Sequence, residues 1–379
     1  MEGLTNVYVI LMAGPTIPTP VPEAVASAVE SIEVTNRDIA PDGFEIIFNV
    51  GRSRQDLQDY ALIANPLLNP FNQVRIIVTF GGIQTNLING IITTKQLSPS
   101  QQPGQTRMVV TGEDLSFFMS KDESPTTHSS LDDKSIVEKI IAKYTQHGIE
   151  PDIHEVQSPV RHPEADQVPS QQSTDLDHIK DLARKYNYVF FLEPALLTNK
   201  SRAYWGPRKY TGAPQKALTL DMGSESNLKA ISFQYNVTEP TIVTGKTVDI
   251  VTNKEVPVTV TGSSLPPLSL YPVLSMQASR VQKKKYNRSS ASAAQAMSEA
   301  QAETDESTDA VIATGTLDSL AYGGVLQARK LVGLRGVGFL HDGYYYVKEV
   351  KHEIKKGEYK QSFKLVRDGL GSTASVLST

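Results

Sequence analysis

The fold is decided by residues Gly333 to Arg367, which read GLRGVGFLHDGYYYVKEVKHEIKKGEYKQSFKLVR. Two turn sequences divide this stretch, His341-Asp342-Gly343 and Lys355-Lys356-Gly357. Glycine accepts the positive φ that short hairpin loops require, so both sequences indicate chain reversals between extended segments. The stretch therefore predicts three short antiparallel strands, and it shows no pattern typical of catalysis.

The middle strand of this predicted meander alternates in side-chain character. Tyr345 and Val347 fall on one face, whereas Tyr346, Val350 and His352 fall on the other. Alternation with a period of two is typical of a strand whose two faces have different surroundings. A sheet of this kind has to close or pack against another layer, so the stretch points to architecture rather than to chemistry.

The composition is that of a multidomain globular protein. A chain of 379 residues with 39% hydrophobic and 21% charged residues has room for two to four domains. The 37 basic and 41 acidic residues give a net charge of −4, which does not favour a nucleic-acid partner. The sequence contains no cysteine, which excludes disulfides, thiolate catalysis and cysteine-bound zinc.

The first residues do not predict a membrane segment. The apolar run from Val7 to Met12 is preceded by Glu2 and by no basic residue. It is too short to span a bilayer, and it lacks the positive start of a signal peptide. We therefore expect neither a membrane span nor signal-dependent export.

Strand patterns dominate residues 1–118, called here the N-terminal region. After a proline-rich lead-in at 15–22, apolar residues alternate with polar ones in several short segments separated by turn residues. These segments are 44–50, 74–80, 88–94 and 105–112. Short strands at this spacing predict a β-barrel or a β-sandwich.

The period changes in residues 119–226, the middle region. Apolar residues recur at helical spacing from Ile136 to Tyr144 and from Leu176 to Tyr186, and Thr174 with Asp177 is typical of a helix N-terminus. Strand patterns follow at 188–192, 202–206 and 216–220. We therefore expect an α+β domain in this region.

Strand patterns return in residues 227–379, the C-terminal region, first at 228–237 and then in the meander. An insertion at 262–312, rich in Ser, Ala, Gln and Pro, interrupts them, and it is expected to be partly a flexible loop. Its part from Ser289 to Ile312 has the composition of a surface helix. Since this part holds few large apolar residues, its helix would need a partner to be stable.

Two groups of residues outside the meander could carry chemistry. Five of the seven histidines lie in the middle region, namely His128, His147, His154, His162 and His178. They show no HExxH or HxxxH rhythm, so a metal site is not favoured. The carboxylates Glu113 and Asp114, and those from Glu303 to Asp309, are accounted for by strand ends and a solvated helix face without a catalytic geometry.

Two further groups lie in the meander. Gly333, Gly336 and Gly338 do not have GxGxxG spacing, and a strand follows them where a phosphate loop needs a helix. Tyr344, Tyr345 and Tyr346 could form a stacking platform for sugars or bases. Tyrosines in a meander more often fill a core or a subunit interface.

The order of short motifs in residues 313–370 resembles the phage late control protein D family, the baseplate hub proteins of contractile-tailed phages and related injection systems. The likeness is carried by Gly336-Val-Gly338, Asp342 to Val347, Gly357-Glu-Tyr359 and Gln361 to Arg367, with the upstream run 315–332. It extends in outline over 25–118. The positions that match the family's meander are Gly336, Gly338, Asp342, Gly343, Tyr345, Tyr346, Val347, Gly357, Tyr359 and Phe363.

The resemblance implies an α+β, mainly β fold with two small tube-like β-barrels and an α/β insertion domain between them. The barrels would occupy 1–118 and 227–379, the second interrupted at 262–312, and the insertion domain would occupy 119–226. Residues 74–115 and 331–369 share an order of strands and glycine turns, which leaves open an internal duplication or a coincidence. The ten motif positions are then structural determinants, and no catalytic residue, cofactor or metal is expected.

The resemblance also implies a function. Members of the family form a homotrimeric ring that joins the inner tube protein to a spike, beside other baseplate components. The chain shows no needle-forming repeat after its meander, so we expect a separate spike protein. We expect assembly in the cytoplasm as part of a contractile particle, either a virion tail or an injection-system baseplate.

Two other functions remain open from the residues alone. The first is a peptidoglycan hydrolase that uses the histidine-rich middle region as its site. The second is a carbohydrate-binding module that uses the tyrosines of the meander, Tyr345 among them.

Overall fold

The computed structural model describes residues 7–51, 62–102, 104–128, 131–156, 170–249, 252–276, 280–287 and 292–373. Strands outnumber helices throughout, so the expected mainly β class is confirmed. No helix within the described ranges is both long enough and apolar enough to cross a membrane. The predicted position His162 lies outside the described residues.

Most of the strands predicted in the N-terminal region are present. The elements in chain order are β1 (Val7–Gly14), β2 (Thr19–Pro20), α1 (Glu23–Ala28), β3 (Val29–Arg37), β4 (Gly43–Asn49), β5 (Gln73–Phe80), β6 (Ile83–Ser98) and β7 (Arg107–Asp114). Their shared core holds the alternating residues Phe44, Ile46 and Phe48 of β4. Alternation therefore predicted both the strand and its buried face.

The middle region has the expected two helices over a small sheet. Its elements are α2 (Phe117–Ser120), β8 (Thr126–Thr127), α3 (Asp133–Ala142), β9 (Ile149–Ile153), β10 (Ser170–Gln171), α4 (Asp175–Arg184), β11 (Tyr188–Pro194) and β12 (Ser201–Pro207). The Thr174 side chain accepts a hydrogen bond from the Asp177 backbone N–H at 3.1 Å, so the predicted helix start is confirmed. Trp205, which is fully buried, lies in the core between helices and sheet.

The remaining elements belong mostly to the C-terminal region. They are β13 (Gln215–Thr219), β14 (Leu228–Tyr235), β15 (Thr241–Val248), β16 (Glu255–Thr259), β17 (Ser269–Pro272), α5 (Val273–Met276), β18 (Gln282–Tyr286), α6 (Ala293–Glu306), β19 (Val311–Asp318), α7 (Ser319–Tyr322), β20 (Leu331–Arg335), β21 (Gly343–Lys355), β22 (Glu358–Arg367) and β23 (Gly369–Ser372). The three predicted meander strands are β20, β21 and β22, with antiparallel pairing between neighbours.

One sheet runs through both β regions. Its strand order is β14-β19-β22-β21-β3-β4-β7-β6-β5-β1-β2, and β20, paired with β21 and β13, lies off this path. The two regions meet where β21 pairs antiparallel with β3, from Glu349 opposite Arg37 to Lys355 opposite Ser31. The path has two ends, and no pairing among the described strands closes it into a barrel. The sequence predicted the strands but not this common sheet.

The predicted alternation of β21 is wrong beyond Val347. The register passes from Val347 opposite Leu365 to Glu349 opposite Lys364, so Lys348 is an extra residue in a β-bulge. A bulge reverses which face the following side chains occupy, and Val350 therefore joins Tyr345 and Val347 in one core instead of sharing the face of Tyr346. The bulge also turns the Lys348 carbonyl toward the Asp38 backbone N–H, which donates to it at 3.1 Å.

One strand of the insertion, β18, joins β15 and β16, which precede the insertion, in a small sheet that the sequence did not predict. Strands β16, β15 and β18 pair in that order. Helix α6, which falls inside the predicted 289–312 segment, covers this sheet with Ala296 and Ala300, both fully buried against Val243 and Val258. The partner that this alanine-rich helix was expected to need is therefore the small sheet.

Candidate assembly site

The ten motif positions lie in or beside the meander, where most of their side chains are buried. Tyr345, Tyr346 and Val347 are fully buried, and Phe363 is 4% exposed. Tyr345, Val347 and Phe363 share one core, and Tyr346 packs edge-on against Tyr210 at 5.2 Å between ring centroids. Since Tyr345 and Tyr346 present no ring face to solvent, the structure contradicts a sugar-stacking platform built on them.

A buried arginine holds the loop between β20 and β21. The Arg367 guanidinium donates to the carbonyls of Asp342, at 2.9 Å, and Leu340, and it lies 4.4 Å from the centre of the Tyr345 ring. Burial lowers the pKa of Arg367. The Tyr345 hydroxyl donates to the His341 carbonyl at 2.9 Å. These contacts fix the loop from inside, while its tip residue Phe339 stays 59% exposed.

The motif glycines and Asp342 shape the turns. Gly336, Gly338, Gly343 and Gly357 all have positive φ. At Gly336 an added Cβ would lie 1.9 Å from the Leu220 carbonyl oxygen, so this position also requires the absence of a side chain. The Asp342 carboxylate accepts a hydrogen bond from the Val337 backbone N–H at 2.9 Å, which closes the loop across its base.

The β21–β22 hairpin brings C-terminal residues into the N-terminal core. Tyr359 is 6% exposed, and its hydroxyl lies 2.9 Å from His352 Nδ1. Burial raises the pKa of Tyr359 and lowers the pKa of His352 to about 3, so both side chains are neutral in this contact. Tyr359 and Ile354 belong to the same core as Phe80 of β5. Sequence reasoning assigned Tyr359 to the meander but could not show which core it fills.

A buried charge network connects the two β regions, and the sequence did not predict it. Arg329 forms an ion pair with Asp42, and its Nε donates to the Arg37 carbonyl at 2.8 Å. Asp42 also accepts from the Arg37 backbone N–H at 2.8 Å and from the Asn36 side chain at 2.9 Å. Burial raises the pKa of Asp42 to about 6, although Arg329 opposes this rise.

A second ion-pair group lies beside the first. Arg208 lies 3.4 Å from Asp38 and 3.7 Å from Asp309, and Lys348 donates to Asp309 at 2.6 Å. Burial raises the pKa of Asp38, and Arg208 opposes this rise. The group joins the loop after β3, the loop after β12 and the bulge of β21. Ion pairs therefore connect the N-terminal, middle and C-terminal regions at one place.

The candidate metal and acid–base residues of the described ranges do not converge on one site. His128 and His178 stack at 5.7 Å between ring centroids, and burial lowers the pKa of both. His147 stacks on Phe118 and His154 lies against Tyr204. Within the described ranges, no group of three His, Cys, Asp or Glu residues is arranged to hold a metal ion.

Three of the carboxylates singled out in the sequence, Asp114, Glu303 and Asp309, have structural partners. Asp114 is 4% exposed and accepts hydrogen bonds from the backbone N–H groups of Asp42 and Ser116, at 2.7 and 2.8 Å. Glu303 forms an ion pair with Lys284, and Asp309 belongs to the second ion-pair group. These carboxylates position loops and strands of the fold.

The two ends of the large sheet offer surfaces for assembly. At one end β14 pairs with β19 alone among the described strands, and Tyr235 is 39% exposed. At the other end, β5 is the one described strand that pairs with the first half of β1, because β2 covers only Met12 and Ala13. Tyr8 in this half is 52% exposed. Unpaired strand edges readily pair with another chain.

Comparison with known proteins shows which fold this is. No family model matches the sequence, and no curated protein matches it. The tail protein of Neisseria meningitidis MC58 superposes with a TM-score of 0.64 at 13% identity, covering 97% of this chain and 98% of that one. The 43 kDa tail protein of prophage MuSo2 from Shewanella oneidensis gives 0.63 at 13%, covering 96% and 99%.

A third solved structure is a component of the type VI secretion system of E. coli, described as structurally similar to the T4 bacteriophage tail proteins gp27 and gp5. It superposes with a TM-score of 0.56 at 12% identity, covering 89% of this chain and 73% of that one. Likeness at such low identity shows the fold alone. The chain has the fold of phage tail proteins over nearly its whole length.

Proposed function

We propose that this protein is a structural hub subunit of a contractile tail or injection-system baseplate. Three copies form a ring that joins the inner tube to a separate spike protein and contacts other baseplate components. The fold shared with two phage tail proteins and a secretion-system component supports a tail role. The meander motifs support assigning the chain, among such proteins, to the late control protein D family.

The observation that carries this proposal is the open-ended sheet that spans both β regions. An exposed edge such as β14 is a liability in a single molecule, and closing a sheet on itself removes it. If β14 of one copy meets β1 of the next, the contact is head-to-tail, and a head-to-tail contact closes into a ring when the rotation allows. Three copies with two β regions each give a ring of approximate sixfold symmetry.

Within this ring each chain supplies two tube-like β units, 1–118 and 227–379, with 119–226 inserted between them and 262–312 inserted in the second. The ten motif positions set the shape of the second unit. The role is mechanical and non-enzymatic: the ring holds the spike before firing and travels with the tube when the sheath contracts. Assembly takes place in the cytoplasm as part of the particle, without a cofactor.

The absence of cysteine makes cross-linking a clean test. The purified chain, of 41.5 kDa, should have three times that mass in solution by light scattering. A variant with Tyr8→Cys and Gln234→Cys, treated with a short bismaleimide, should give covalent dimers and trimers. Each single-cysteine variant should stay monomeric on a denaturing gel, because a head-to-tail contact joins two different edges.

A variant with Tyr8→Cys and Lys254→Cys serves as the control, since Lys254 is exposed in the loop between β15 and β16 of the small sheet. Dimers from a single-cysteine variant would indicate a two-fold contact and contradict the ring. A monomer that degrades cell-wall material would contradict the hub and favour the peptidoglycan hydrolase instead.

A further inference from the structure

An open slot runs beside strand β6. This strand begins at Ile83 but pairs with β7 only from Gly90 onward, so no described strand covers its second edge along 83–89. A cavity of about 280 Å³ and another of about 240 Å³ lie along this edge and face the loop 323–330. Thr85, Val325 and Gln327 line both cavities, which therefore form one continuous slot.

A buried polar atom in the slot wall has no partner. Asn86 is 8% exposed, and its Nδ2 donates to Asn89 Oδ1 and to the Ala195 carbonyl, both at 2.9 Å. Its Oδ1 is buried and accepts no hydrogen bond. Leaving a buried acceptor unsatisfied costs about 1–3 kcal/mol. A ligand N–H that reached Asn86 Oδ1 would therefore gain a hydrogen bond.

The end of the slot near the middle region is basic. Lys209, Arg329 and Lys330 line it, against the single carboxylate of Glu193. Arg329 is committed to Asp42, and Glu193 is paired with Arg202 at 2.9 Å. Lys209 lies 3.8 Å from the same Glu193 carboxylate and 4.4 Å above the Tyr204 ring, and Lys330 donates to the neutral Gln327 side chain. Glu193 carries one negative charge against the two cations beside it, and Lys330 has a neutral partner, so this end of the slot keeps a net positive charge for a ligand.

The opposite end of the slot is mostly apolar, and the one lysine that lines it, Lys216, donates to the Tyr322 carbonyl at 2.7 Å. Phe80, Tyr322 and Val325 line it together with Ile83, whose side chain is 72% exposed. An exposed isoleucine next to a cavity can cover an apolar side chain of a ligand. The slot therefore changes along its length from mostly apolar to cationic.

We propose that this slot binds an extended peptide of a partner protein, with apolar residues at one end and acidic residues at the other. The peptide backbone adds to the free edge of β6 by main-chain hydrogen bonds, which is a recurring mode of peptide recognition. The Leu87 carbonyl already accepts a hydrogen bond from the Asn36 side chain at 3.1 Å, so the free edge runs from Ile83 to Asn86. At about 3.3 Å per residue this edge spans about 10 Å, which suits a segment of about four residues. This inference goes beyond the hub role and does not depend on ring formation.

The test uses two fluorescein-labelled peptides as probes, Val-Ile-Thr-Glu-Asp and the same residues in reverse order. Both are needed because the proposal does not fix whether the peptide runs parallel or antiparallel to β6. Fluorescence anisotropy with the full chain should show saturable binding of one of them, and Val-Ile-Thr-Lys-Lys should not bind. Lys209→Glu with Lys330→Glu should weaken binding at least about tenfold. Lys254→Glu with Lys356→Glu, the same charge change at exposed sites away from the slot, should leave it unchanged.

Hydrogen exchange on the unmodified chain gives a readout that does not depend on the folding of a variant. The bound peptide should slow exchange of backbone amides in residues 83–89. Absence of binding by both acidic peptides, equal loss in the control variant, or protection confined to other strands would each overturn the proposal.

Discussion

Two glycines in the loop between β20 and β21 share a left-handed backbone but have different surroundings. Gly336 has φ +80°, and Gly338 has φ +95°. A Cβ at Gly336 would lie 1.9 Å from the Leu220 carbonyl oxygen, whereas a Cβ at Gly338 would have no atom within 4 Å. The two positions therefore separate backbone strain from steric clash in one loop.

We expect Gly338→Ala to lower the free energy of unfolding by about 1–2 kcal/mol, the cost of a left-handed conformation for a residue with a Cβ. Gly336→Ala should cost about 3 kcal/mol or more, because a backbone clash adds to that strain. Urea unfolding followed by circular dichroism measures both. Equal losses in the two variants would show that the approach of Leu220 does not constrain Gly336.

At the scale of elements, the pair of Arg329 and Asp42 links the loop before β20 to the loop before β4. Arg329→Met should lower the free energy of unfolding by about 3–5 kcal/mol at pH 8, because it leaves the buried carboxylate of Asp42 without its cation. The loss should be smaller at pH 5. The folded-state pKa of Asp42 is about 6, above its ordinary value of 3.8, so the folded protein takes up this proton more readily than the unfolded chain.

The stability that proton uptake by Asp42 contributes is thus fully present below about pH 4 and is lost as the pH rises through 6. Removing Arg329 raises the pKa of Asp42 further, so the loss of unfolding free energy should differ clearly between pH 5 and pH 8. Denaturant unfolding at pH 5 and pH 8 measures it. In the Asp42→Asn background, Arg329→Met should lose its pH dependence between these values, and a loss that stayed the same at both in the natural background would refute the assignment.

Elements whose signals are local could be predicted from the sequence. Helix α4 begins where Thr174 and Asp177 indicated, and β22 follows the Lys356-Gly357 turn. Strand β18, by contrast, reads Gln-Lys-Lys-Lys-Tyr, and only Tyr286 in it is buried, so no alternation marks it as a strand. Arg329 and Asp42 lie 287 positions apart, and neither has a local pattern that identifies the other. The bulge at Lys348 likewise depends on a bond to Asp38, which is distant in sequence.

At the scale of the whole molecule, the large sheet ties residues 1–118 to the meander. Strand β3 pairs with β21 along Ser31 to Arg37, and the core of the N-terminal region includes Ile354 and Tyr359, which are 3% and 6% exposed. A fragment 1–118 would expose the β3 edge and lose both apolar side chains. We therefore expect this fragment, expressed alone, to show no cooperative unfolding in urea by circular dichroism.

The matched control is a fusion of 1–118 to 311–367 through a glycine–serine linker, which restores β19 to β22 beside β3. It should unfold cooperatively, because β21 again covers the β3 edge and Ile354 and Tyr359 again fill the core. In the full chain, hydrogen exchange should assign β3, β4, β21 and β22 to one cooperative unit, since strands that share a core open together. If fragment 1–118 instead folded cooperatively by itself, the predicted boundary at 118 would be the limit of an independent folding unit. The β3–β21 pairing would then be a contact between two units that fold separately.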